Sequence, residues 1–142
     1  MTIRLAAIPA ALAGMLFIGA TAAQAEQVHF KATLDGATEV PSVASEGRGT
    51  AELTLDTATG KVTYTVTYSG LSGPVTAAHI HGPAAVGANA GVVAPLTNSA
   101  SPLKGEVTLT EQQVADLTAG KDYINIHTAA HPAGEIRGYI TH

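Results

Sequence analysis

The chain has no cysteine. That excludes disulfide staples, iron–sulfur clusters, thiolate metal ligands, lipid-anchored cysteine and cysteine nucleophiles together. Basic residues are scarce too: seven Lys and Arg against eleven Asp and Glu give a formal net charge of −4. Affinity for nucleic acid comes largely from Lys and Arg at phosphates, so a nucleic-acid partner is not expected. There is no Gly-x-Ser-x-Gly elbow, no phosphate-binding glycine loop and no acidic calcium loop. No apolar run after the N-terminal one is long enough to span a bilayer.

That N-terminal run is itself informative. Arg4 gives a basic start, Leu5 to Ala20 is almost continuously apolar, and Ala23-Gln24-Ala25 fits the small-x-small cleavage rule. The pattern predicts a signal peptide over residues 1–25, hence a periplasmic or secreted protein of residues 26–142 with no membrane span after processing. Removing the segment takes away Arg4 and no acidic residue, leaving a slightly more acidic chain. Residues 26–142 have the size of one ordinary domain with one core.

Alternation with a period of two dominates that domain. Val28, Phe30, Ala32 and Leu34 alternate with polar residues up to the Asp35-Gly36 turn. Ala51, Leu53 and Leu55, then Val62, Tyr64, Val66 and Tyr68, read as a β-hairpin joined at Thr57-Ala58-Thr59-Gly60. Shorter runs hold Val107 and Leu109, Ile124 and Ile126, and Ile136 and Ile140. Thr110-Glu111-Gln112-Gln113 has capping-box spacing and Gly120 suits a left-handed stop, so one short helix is expected near 111–118. Pro41–Gly49 and Gly82–Gly91 are loose. About seven to nine short strands predict an all-β fold, an antiparallel β-sandwich or flattened barrel.

Four of the six histidines fall in two segments, His79-Ile80-His81 and His127-Thr128-Ala129-Ala130-His131. On a strand His79 and His81 share one face while Ile80 takes the other. In Tyr123-Ile124-Asn125-Ile126-His127 the isoleucines claim the core, so Tyr123, Asn125 and His127 share the opposite face. If the two strands are neighbours, His79, His81 and His127 converge, with His131 as a fourth ligand dependent on the Pro132 loop. A nitrogen-rich set without thiolate suits copper first and zinc second. Asn89 is a candidate oxygen donor. Glu135 and Arg137 read either as a carboxylate that orients a ligating histidine plus an anion-attracting cation, or as an ion pair or loop clamp. His29 and His142 read as solvated residues.

Several blocks together resemble the chordin (CHRD) domain: Phe30-Lys31-Ala32-Thr33-Leu34, Glu39-Val40-Pro41, Gly49-Thr50-Ala51, Ala77-Ala78-His79-Ile80-His81-Gly82-Pro83, Tyr123-Ile124-Asn125-Ile126-His127-Thr128 and Gly134-Glu135-Ile136-Arg137-Gly138. Their order matches the family and they cover nearly all of residues 26–142. The resemblance implies an immunoglobulin-like or superoxide-dismutase-like β-sandwich, found in an extracellular scaffold protein and in exported microbial proteins. The His-x-His strand is also similar to the metal strand of copper,zinc superoxide dismutases. This chain lacks that family's cysteine pair and bridging-histidine segment, so the likeness extends to a metal site and not to dismutase activity. The expected function is metal binding in storage, delivery or resistance, with no catalytic residues assigned. The alternative is a metal-free structural or interaction module that meets another envelope or extracellular protein.

Overall fold

The alternating runs become eight strands and one helix in the computed structural model, which describes residues 25–97 and 100–142. The expected signal peptide lies outside the described residues, apart from Ala25. The strands are β1 (Gln27–Asp35), β2 (Arg48–Asp56), β3 (Lys61–Ser69), β4 (Val75–His81), β5 (Val92–Pro95), β6 (Leu103–Thr108), β7 (Tyr123–Thr128) and β8 (Ile136–Tyr139), with α1 (Glu111–Thr118) before β7. All pairings are antiparallel, in the order β5-β4-β7-β8-β1-β2-β3-β6.

The sheet divides into two four-stranded halves. They join where β1 meets β8 at Asp35 and Arg137, supported by the bridge between Lys31 and Thr141. At the other side the edge strands β5 and β6 approach through Thr97, just beyond β5. Its backbone N–H donates to the Tyr64 hydroxyl at 2.8 Å, and its own hydroxyl donates to the Lys104 carbonyl at 3.1 Å. The result is the all-β, sandwich-like flattened barrel that the alternation implied.

Burial follows the pleat. Leu34, Leu55, Val62, Ile80, Ile124, Ile126 and Ile136 are each 0% exposed; in β1 to β4 their neighbours along the strand are more exposed, whereas in β7 and β8 the opposite face is largely buried as well. Each such side chain contributes about 1.5–3 kcal/mol by leaving water. The β2–β3 hairpin forms as expected, with register running from Arg48↔Ser69 to Asp56↔Lys61. Gly60 has φ +71, a left-handed conformation that closes the turn at no steric cost.

The helix also forms where the capping signals put it. The Gln113 N–H donates to the Thr110 hydroxyl and the Thr110 N–H to the Gln113 side chain, a reciprocal cap worth about 1 kcal/mol. Gly120, at φ +70, follows the Ala119 cap, and Leu117 is buried beneath the helix. One strand was not visible in the sequence pattern. β5 is only Val92-Val93-Ala94-Pro95, with Ala94 alone fully inward, too short to show a period.

Candidate metal centre

β7 lies between β4 and β8, and its register with β4 decides what meets on the outer face. Ala77 opposes His127, His79 opposes Asn125 and His81 opposes Tyr123. Ala78, Ile80, Ile124 and Ile126 occupy the core, so His79, His81, Tyr123, Asn125 and His127 share the other side of the sheet. The convergence expected of the three histidines is therefore present. One ring nitrogen from each of His79, His81 and His127 lies within 4.8 Å of the others. Two nitrogens bonded to one ion at about 2.0–2.1 Å can be no more than about 4.2 Å apart. The bound on the present spacing exceeds that limit by about 0.6 Å.

His131 is not in this group. Its backbone exchanges hydrogen bonds with Thr128, and its side chain lines a hollow with Glu39, Pro41 and Pro132. His29 bonds Thr54 and His142 packs on the Phe30 ring, both away from the cluster.

Hydrogen bonds assign the protons on the imidazoles. His127 Nδ1 is 2.9 Å from the Pro132 carbonyl, and His81 Nδ1 is 2.9 Å from the Ala90 carbonyl. A carbonyl only accepts, so both Nδ1 atoms carry hydrogen, and in the neutral rings both Nε2 atoms present lone pairs. His79 Nδ1 is 3.1 Å from His127 Nε2 and therefore donates to it. The His81 Nε2 atom is buried with no hydrogen-bond partner. Backbone carbonyls thus orient two of the three rings and make them better donors, as such partners do around bound metals.

Electrostatics favours the neutral, ligating form. Burial pushes the His79 imidazole below its usual 6.5, with His127 and His81 adding to the effect. Burial also pushes His81 down, opposed by its bond to Ala90 and reinforced by His127 and Arg137.

Around the histidines lies a buried polar network. Arg137 donates through Nε to Glu39 Oε2 at 3.1 Å, and its NH2 group also lies 3.1 Å from that oxygen. The same guanidinium donates to Asn89 Oδ1 at 2.6 Å and to the Ala88 carbonyl at 3.3 Å. Asn89 Nδ2 donates to the Val40 carbonyl. The loop over residues 82–91 is so fastened across the sheet, with Asn89 as its clamp. Glu135 accepts from the hydroxyls of Ser45, Ser72 and Thr128 and from the Ser72 N–H, at 2.6–2.9 Å. The hydrogen bonds of Glu135 and Arg137 go to these partners and not to a histidine, in keeping with the loop-clamp reading. β8 begins at Ile136, one residue after Glu135.

Glu39 and Asn125 emerge only in three dimensions. Asn125 Nδ2 donates to Glu39 Oε1 at 2.6 Å, and both residues are buried. Asn125 stood on the expected face, but nothing in the sequence pairs it with a residue 86 positions earlier.

A flattened antiparallel barrel with an outward histidine cluster and loops braced by a buried ion pair and a buried, hydroxyl-bound carboxylate defines a small β-sandwich domain with a candidate imidazole metal site. The chain belongs to the CHRD domain family, whose model matches residues 30–140. No curated protein and no solved structure matches the chain.

Proposed function

We propose that this CHRD domain is an exported metal-binding protein that holds copper, or zinc as second choice, through His79, His81 and His127, in metal storage, delivery or resistance. The convergence of three ring nitrogens within 4.8 Å carries the reading. Two rings are pre-oriented by backbone carbonyls, and imidazole donors without thiolate suit these ions, with affinity highest for copper(II). The basic, apolar, small-residue pattern of residues 1–25 supports export. His131, which stands outside this group, is the conditional fourth ligand, dependent on the Pro132 loop.

Calorimetric titration of residues 26–142 with Cu(II) and Zn(II) tests this. Binding is expected near neutral pH, weakening in acid as the imidazoles protonate. A His79→Ala/His81→Ala variant should lose it. Unchanged binding in that variant, or none in the wild type, overturns the reading.

One observation favours a metal-free structural role instead. His81 and His127 each pin a loop through a carbonyl, Ala90 and Pro132. That role predicts the same loss of thermal stability in the double variant with and without chelator. Metal binding predicts a larger loss against the loaded form.

A further inference from the structure

We propose that Asn125 is the acceptor for a proton-bearing exogenous ligand, water or another hydroxylic molecule, on the metal held by His79, His81 and His127. The inference rests on the metal-binding reading above. It comes from two orphaned atoms. The Asn125 Oδ1 and His81 Nε2 atoms are both buried without a hydrogen-bond partner. Asn125 is 1% exposed, and both residues line one cavity of about 190 Å³ beside the cluster.

The orientation of the Asn125 amide is fixed from behind. A carboxylate only accepts, so Glu39 Oε1 takes the Nδ2 donor and turns Oδ1 the other way. Gly134 makes this contact possible, because a Cβ there would overlap the Asn125 amide nitrogen and crowd Glu39 Oε1. On the sheet Asn125 stands opposite His79 and two residues from His127, at the centre of the outer face that the histidines occupy. The unpartnered His81 nitrogen and the lone Asn125 carbonyl oxygen therefore share one cavity wall, with the ring nitrogens of His79 and His127 within 4.8 Å of that of His81.

An ion bonded to three protein nitrogens keeps a position for an outside ligand. A ligand with an O–H group satisfies Asn125 Oδ1 by donating to it. An aprotic anion sets its lone pairs against that oxygen and leaves it unsatisfied. Arg137 lines the same cavity, but Glu39 neutralises it and its guanidinium already serves Glu39, Asn89 and Ala88, which mutes any pull on anions. Asn125 is in this sense a positioning residue that selects hydroxylic over aprotic ligands.

Azide titration of the copper(II)-loaded protein, followed by its charge-transfer absorption, reads this preference. In Asn125→Ala, azide should bind about tenfold tighter than in wild type, the worth of one hydrogen bond to the displaced ligand. Copper affinity by calorimetry should stay within about threefold, since the acceptor orients the outside ligand and holds no metal. Copper binding with unchanged azide affinity overturns the role of Asn125 and leaves the metal site standing. No copper binding in the wild type overturns both. Should Asn125→Ala fail to fold, electron–nuclear double resonance on the copper-loaded wild type decides. A strongly coupled, solvent-exchangeable proton is expected, and its absence overturns the proposal.

Discussion

The guanidinium carbon of Arg137 lies 4.1 Å from the centre of the Tyr123 ring. His81 stacks on the same ring, with planes 5° apart and centroids 5.0 Å apart. β7 carries Tyr123 between β4 and β8, so the cation and the imidazole reach the ring from opposite neighbouring strands. Arg137 thereby acts on the cluster without touching it, since its charge adds to burial in disfavouring protonation of His81.

In the metal-free protein at neutral pH, His81 and His127 should both be Nδ1–H tautomers. Long-range proton–nitrogen correlation spectra distinguish the two forms. An Nε2–H signal from either ring would mean that its backbone carbonyl does not hold it, and the oriented lone pairs would be lost.

Glu135 makes the fold sensitive to acid. Burial opposes its ionisation, but donors from Ser72, Thr128 and Ser45 outweigh it and bring its pKa from 4.5 to about 2. The folded value is below the unfolded one, so this stabilisation is present above pH 4.5 and is lost as pH falls through about 2. Its size is about 3 kcal/mol. Urea unfolding across pH 2–6 should show wild type losing that much relative to Glu135→Gln. A difference that does not change with pH would contradict the prediction.

Asp122 works in the opposite sense. It is fully buried, and neither carboxylate oxygen has a hydrogen-bond partner. Burial, with help from Asp116, pushes it up to about 6. Here the folded state prefers the proton, so the contribution is present below the unfolded 3.8 and is lost as pH rises past about 6. Asp122→Asn should gain on wild type by up to about 3 kcal/mol between pH 4 and pH 7. Parallel unfolding curves at the two pH values would refute it.

Gly134→Ala should be severe for a single methyl. The residue sits at φ +125, and the added carbon meets the Asn125 amide and Glu39. Thermal unfolding should report a loss of about 3 kcal/mol or more, from backbone strain and a broken buried network. Gly73→Ala, where an added carbon meets nothing within 4 Å, is the control and should change stability by less than about 1 kcal/mol.

How much of this was legible in the sequence depended on the range of the interaction. The β2–β3 hairpin, the capped helix and the face shared by His79 and His81 follow from local period and turn chemistry. The approach of His127 followed once β4 and β7 were taken as neighbours. β5 was hidden because four residues ending in proline at a sheet edge have no readable period. Glu39 was hidden for another reason: an acidic residue beside Val40-Pro41 reads as loop surface, and its burial needs Arg137, 98 positions away. The hold of Asn89 on Arg137 and Val40 was hidden likewise, because only folding supplies those partners.

The strict in–out alternation of β4 and β7 has a further consequence for how this chain can change over generations. Ile80, Ile124 and Ile126 and the three imidazoles occupy opposite sides of the same ribbons. Replacing an imidazole on the outer side leaves the isoleucine interior untouched, so binding chemistry is free to drift while the scaffold persists. Gaining or losing one residue within either strand would exchange imidazole for isoleucine across the sheet and ruin both at once. Descendants of this sequence should therefore vary by substitution along these two strands and by length only in the loops between them.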